Sequence, residues 1–189
     1  IINLRRLGGL DGHPDIKIPG MEANTGSLGM GISKGKGMAI AKQMRGSGGR
    51  VIVMTGDGEL QEGQIWESLQ TAAHQRVNNI IALIDHNKIQ TDKQVKEIVS
   101  IDSIQEKFEA FGWHVERCDG HDFTSLQKSF ARLNKVKNKP KALIADTIKG
   151  KGISFMEGPE SLKRNNGVYQ WHSGAPDDDT YEKGCKELL

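Results

Sequence analysis

With 189 residues, 36% hydrophobic and 26% charged, the chain is long enough to bury one sizeable core, and its length favours a single domain. Twenty-six basic residues against twenty-four acidic ones leave a net charge of +2, too balanced to mark a nucleic-acid surface, and no apolar run approaches the length that crosses a bilayer. Cys118 and Cys185 stand apart without CxxC spacing, which argues against a disulfide framework or a thiolate metal site and suits a reducing cytoplasm.

In chain order, the first clear element is a helix over 31–45, whose Gly35 and Gly37 permit close packing and which GSGG ends. Strand RVIVMT (50–55) follows and runs into Gly56-Asp57-Gly58. An amphipathic helix over 62–77 leads to a second apolar strand, NIIALI (79–84), which runs into Asp85-His86-Asn87. Residues 102–111 read as a helix capped by Asp102, WHVERCDG as a strand and turn, 122–135 as another capped helix, and KALIADTI (141–148) as a strand. The basic stretch 128–141 reads as a solvated helix end and loop. Residues 177–189 read as a short terminal helix whose acids sit at its positive N-terminal end. This alternation predicts an α/β fold, a three-layer sandwich with a mostly parallel sheet and helices on both faces.

The strand–helix–strand unit over 50–87 carries the chemistry. A right-handed crossover makes its strands parallel and brings Asp57 and Asn87 to the same carboxyl edge, where open α/β sheets bind ligands. A carboxylate and a carboxamide are hard oxygen donors suited to magnesium or calcium, with diphosphate oxygens and a turn carbonyl completing the shell. Gly56 and Gly58 are read as letting the backbone turn sharply and approach phosphates, where N–H groups opening the next helix favour an anion. Without a metal, Asp57 would repel a diphosphate, and neither GxGxxG after a strand nor a GxxxxGKS/T loop is present. The bland alternatives are a surface Asp-Gly turn and, for Asn87, a left-handed turn residue, which remains compatible with ligation.

GDG followed after about thirty residues by Asn resembles the fingerprint of thiamine diphosphate enzymes, and GDGELQEG is similar to its transketolase version. Upstream, GHPDIKIPGMEANTGSLGMGIS (12–33), and downstream, TIKGKGISFME (147–157) and WHSGAP (171–176), resemble transketolase segments in the same order. The likeness spans nearly the whole chain and is greatest to the N-terminal half that forms a separate subunit in split bacterial transketolases. It implies thiamine diphosphate with magnesium or calcium as cofactors, the ion held by Asp57, Asn87 and the carbonyl of Ile89. Gly58 would hold the diphosphate through its backbone with Gly56 and Glu59 alongside, although Glu59 also reads as part of a solvated helix face. Gly26 and Leu28 would touch the cofactor, and Thr91 lies where the family places an apolar residue against the thiazolium. His172 would reach the diphosphate, His13 would face the substrate hydroxyl near the reacting carbon, and Glu62 would join a carboxylate network across a subunit interface.

The resemblance further implies ketol transfer between a ketose donor and an aldose acceptor, both sugars or sugar phosphates. The glutamate that activates the aminopyrimidine lies on a second domain, which nothing here matches. A pyrimidine-binding C-terminal subunit is therefore expected as partner, in an assembly of two copies of each. Met30 replaces the family's usual Gln, and the family's earlier histidines precede a chain that opens at Ile1, so the single diphosphate-binding domain over 1–189 is expected to have a longer native N-terminus. A deoxyxylulose-phosphate-synthase-like enzyme and a non-catalytic scaffold subunit remain as alternatives, the first disfavoured by Gln61-Glu62-Gly63. Among the other histidines, His74, His114 and His121 read as structural, and strand alternation should point His86 away from Asn87. Trp66 and Trp113 read as core or interface residues. Lys149 and Lys151 are equally readable as phosphate-attracting groups or as a coat on a mobile loop.

Overall fold

The computed structural model describes residues 3–189. Four strands, β1 (Val51–Gly56), β2 (Ile80–His86), β5 (His114–Asp119) and β6 (Lys141–Asp146), form one sheet in the order β1-β2-β6-β5, parallel at every pairing. Gly56 pairs with Asp85, His86 with Asp146 and Asp119 with Asp146, so all four strands end level. That edge is where the chain places Asp57, Asn87 and Thr147. The inner strands β2 and β6 are buried along most of their length, as near-continuous apolar runs in a parallel sheet should be.

Helices cover both faces, unequally. On one face α1 (Met30–Met44), α2 (Gly63–His74) and α4 (Ile104–Ala110) bury Ile32, Leu69, Phe108 and Trp113 against Ile84 and Ile144. On the other, α5 (Phe123–Lys135) sets Leu126, Phe130 and Leu133 against Ile81 and Leu143. Edge strand β1 alternates instead: Val51 and Val53 face α1, whereas Ile52 and Met54 are 50% and 68% exposed. Trp66 and Trp113 are packed as the sequence suggests, each in edge-on contact with Phe108.

Several details depart from the sequence reading. The helix expected over 62–77 starts at Gly63, after a 3-10 turn over Gly58–Gln61, and ends at His74, because Arg76 turns left-handed (φ 51°). The cap of α4 is Ser103, whose Oγ accepts from Glu106 N, rather than Asp102. Asp122 and Asp177 do cap α5 and α7 (Asp178–Leu188). A hairpin of β3 (Ile89–Gln90) and β4 (Lys93–Gln94), the one-turn α3 (Val95–Ile98) and α6 (Gly158–Arg164) were too short to leave a periodic signal. Pro159 in the first turn of α6 was a legible start signal. No helix among the described residues is long and apolar enough to cross a membrane.

Beside the carboxyl edge, Arg117 clamps Asp146 at 2.7 and 2.8 Å and His86 Nδ1 lies 2.8 Å from the same carboxylate. Chiefly through Arg117, and secondarily through His86, Asp146 is lowered to a pKa of about 2.

The α1–β1 contact makes two neighbouring glycines respond oppositely. A Cβ on buried Gly35 would collide with Val53, so Gly35→Ala should cost about 1–3 kcal/mol of stability in a denaturant titration. Gly37 faces open space, and Gly37→Ala should stabilise by about 0.5–1 kcal/mol. For Asp146, a folded pKa below the unfolded one makes its contribution full above about pH 4 and lost as pH falls toward about 2. With the carboxylate 37% exposed, Asp146→Asn should cost only about 1 kcal/mol at neutral pH, a gap to wild type that closes on acidification in pH-dependent unfolding.

Candidate functional site

Asp57 follows β1 directly and is 2% exposed. Its Oδ1 accepts from Gly58 N at 2.8 Å and its Oδ2 from Lys88 N at 2.5 Å, while its own N–H reaches Asp85 O at 3.2 Å. Lys88 sits at φ 67°, the left-handed turn after β2 that aims its N–H at this carboxylate. Burial pushes the Asp57 pKa up, although the Lys88 and Gly58 amides and nearby His86 pull it down. A buried carboxylate that two amides do not fully compensate is a fitting ligand for a hard divalent cation, which would supply the missing positive charge.

Asn87 emerges beside it. Its Nδ2 donates to Asp85 Oδ2 at 3.0 Å, and its Oδ1 accepts from Ile89 N at 3.0 Å. Asp85 therefore orients the carboxamide, holding the nitrogen back and turning the oxygen toward Ile89, another proposed ligand residue. Thr147 steadies Asp85 by donating its hydroxyl to Oδ1. Sequence reasoning missed Asp85 because Thr147, which steadies it, comes from the end of another strand. His86 turns to Asp146, so the expected divergence of His86 and Asn87 holds.

The sharp turn expected of the GDG glycines needs revision. Neither Gly56 nor Gly58 has a positive φ, so a sharp turn does not require them. A Cβ on Gly58 would press on Gln90 at 2.8–3.0 Å, whereas Gly56 has open space beside it. The Gly58 amide donates to Asp57 Oδ1. Glu59 is not part of a solvated helix face: its carboxylate accepts from Gly29 N, Thr55 Oγ1 and Gly56 N.

Upstream, the structure brings His13 and Gly26 together. A Cβ on Gly26, at φ 124°, would lie 3.4 Å from the His13 ring, and Thr25 N donates to Pro14 O at 3.1 Å. Leu28 is 57% exposed. Glu62 packs over Gly29, where an added Cβ would meet its Cβ at 2.6 Å, and its carboxylate makes no cap bond to α2.

Downstream, the segment after β6 folds back on itself. Tyr169 Oη donates to Met156 O, Trp171 Nε1 donates to Phe155 O, and Ser154 bonds Glu187 of α7. This anchoring sets His172 Nδ1 3.1 Å from Lys149 Nζ. Burial lowers the His172 pKa, and Lys149 lowers it further against the opposing charge of Asp92; because an ammonium can only donate, Nδ1 is the acceptor of this contact and Nε2 the ring's donor. Burial also lowers Lys149, opposed by the negative charges of Asp85 and Asp57. Lys149 is thus half-buried within electrostatic reach of Asp85 and Asp57 rather than part of a loose coat, whereas Lys151 pairs with Glu157 at 3.1 Å. Thr91 is exposed at the hairpin tip with φ 53°, and Tyr169 N donates to Asp92 O at 2.7 Å, tying that tip to the same segment. His121 Nε2 accepts from Ile148 N at 2.8 Å and His114 sits 3.5 Å from Glu116, so both are structural, while His74 is exposed on α2.

Over residues 1–163 the sequence matches the family described as transketolase, thiamine diphosphate binding domain. It is 37% identical over 179 residues to an apulose-4-phosphate transketolase subunit of Phocaeicola vulgatus, covering 95% of this chain and 60% of that one. To the subunit of the same name from Actinobacillus succinogenes it is 41% identical over 181 residues, covering 95% and 62%. The chain thus spans about three-fifths of the length of these relatives. Among solved structures, a transketolase from Leishmania mexicana superposes with a TM-score of 0.76 at 27% identity, covering 98% of this chain and 32% of that one.

The Lys149–His172 contact is testable without any ligand. Replacing the ammonium in Lys149→Met should raise the His172 pKa part of the way back toward its ordinary value, followed through the imidazole proton resonances in an NMR pH titration.

Proposed function

The chain belongs to the transketolase family, as its thiamine diphosphate binding domain, and on that footing we propose that residues 1–189 form one diphosphate-binding domain serving a two-part transketolase. The reaction is ketol transfer from a ketose to an aldose, with sugar phosphates of the kind named for the relatives as the substrate class. It depends on thiamine diphosphate and on magnesium or calcium. A separate pyrimidine-binding subunit completes the site, two copies of each chain making the assembly. That two relatives are named as single subunits of a transketolase supports a partner. The free thiols Cys118 and Cys185 fit a reducing, cytoplasmic setting.

One observation carries this reading: Asp57 and Asn87 leave paired parallel strands at the same edge, linked through Lys88 N to Asp57 and Asp57 N to Asp85 O. Asp57, the Asn87 oxygen and the Ile89 carbonyl would hold the ion, whose remaining positions suit diphosphate oxygens and water. Lys149 adds positive charge, and His172 offers an Nε2–H donor on the same side. His13, beside Gly26, is the imidazole for proton handling at the substrate, with Leu28 and Thr91 as exposed side chains flanking the cofactor. Glu62, exposed over Gly29, is the carboxylate available to a subunit interface. Thiamine diphosphate, when bound, supplies the carbon nucleophile that lets a ketose carbon–carbon bond break. This chain orients the diphosphate and balances its charge.

Calorimetric titration of thiamine diphosphate and magnesium into the chain with its partner should show binding that EDTA abolishes. Absence of such binding would favour a scaffold role and sink this reading, and ketol transfer by the chain alone would overturn the need for a partner. Asp57→Ala should weaken binding by more than about 100-fold, and Asp85→Ala, which frees the Asn87 carboxamide to rotate, by about 10- to 100-fold.

A further inference from the structure

Helix α1 begins without the usual devices. Its N-cap is Gly29, at φ 80°, so no cap side chain exists, and no acid stands in its first turn. The missing anion comes from Glu59, thirty residues along the chain: Glu59 Oε1 accepts from Gly29 N at 2.8 Å. Its other oxygen, Oε2, accepts from Thr55 Oγ1 at 2.6 Å and from Gly56 N at 3.3 Å. One carboxylate therefore ends the turn over 25–29 and the strand β1 together. A charged acceptor at the positive end of a helix, shared among three donors and half-buried, is far more selective than a surface contact.

From this geometry we infer that Glu59 is a positioning residue: a latch that sets the turn carrying Gly26 and Leu28 against the loop carrying Asp57 before any ligand arrives. The inference rests on the proposed function for its consequence, because those two segments are the ones assigned to the cofactor and the ion. Its structural half stands without that reading. The 3-10 turn over Gly58–Gln61 curls the chain after Asp57, so that Asp57 and Glu59 divide the work. Asp57 binds the β2 side through Lys88 N, and Glu59 binds the α1 side through Gly29 N. A loop fixed from both sides does not have to be ordered when the ligand binds, which favours affinity.

Glu59→Gln keeps the size of the side chain but leaves one acceptor oxygen and one amide donor where two oxygens met three donors. Either Gly29 or the Thr55–Gly56 pair must lose its acceptor. In hydrogen exchange on the ligand-free chain, the Gly29 or Gly56 amide should exchange about tenfold faster or more, with Ile81 and Leu143 in the sheet unchanged. Thr55→Val keeps the carboxylate and removes a single donor, so it should loosen Gly56 and spare Gly29, and it serves as the test if Glu59→Gln does not fold. With the partner present, magnesium-dependent binding of thiamine diphosphate to Glu59→Gln should weaken about tenfold. Unchanged exchange at both glycines in these variants would overturn the latch. Faster exchange with unchanged cofactor affinity would overturn its role in preparing the site. Failure of the wild-type chain and partner to bind the cofactor would overturn the proposed function instead, leaving the exchange result to decide the latch.

Discussion

A carboxylate with almost no access to water, at the end of an apolar strand, is the constraint around which this fold is arranged. Asp57 is destabilised by burial and is made tolerable by the backbone amides of Gly58 and Lys88 that point at it. The Lys88 amide reaches it because β1 and β2 are parallel and in register up to Gly56 and Asp85. That register follows from the apolar runs of the two strands and from the helix that returns the chain over one face of the sheet. Hydrophobic pattern and electrostatic need thus specify the same geometry.

Around this centre, carboxylates work as organisers rather than reactants. Asp85 fixes the carboxamide of Asn87, Asp146 gathers Arg117 and His86, and Glu59 joins a helix start to a strand end. Each takes donors from segments distant in sequence. These cross-links add to the strand pairing at the edge of the sheet, and polar groups engaged in this way favour one arrangement of the loops.

The fold was legible because its strands are short, apolar and regularly separated by helices, and Asp57 and Asn87 were legible because each directly follows such a strand. The glycines were read for the wrong reason. GDG suggested a sharp turn, yet neither glycine has a positive φ, and at Gly58 the room is filled by Gln90, a neighbour from a hairpin too short to register in any periodicity. Glu59 looked like a helix-face acid because its partners, Gly29 and Thr55, come together only in three dimensions. Lys149 was ambiguous for a similar reason: its half-burial depends on Tyr169 and His172, which return from a segment with no regular pattern.

The hairpin tip carries a consequence of its own. Thr91 is β-branched and held in a left-handed conformation, an arrangement that costs about 1–3 kcal/mol and persists only where neighbours enforce it. Tyr169, gripping Asp92 from below, is one such neighbour. The hairpin that presents Ile89 is thus a sprung element whose catch lies in the chain's last quarter, and loosening that distant tether would slacken the loop between Asn87 and Ile89 without touching either residue.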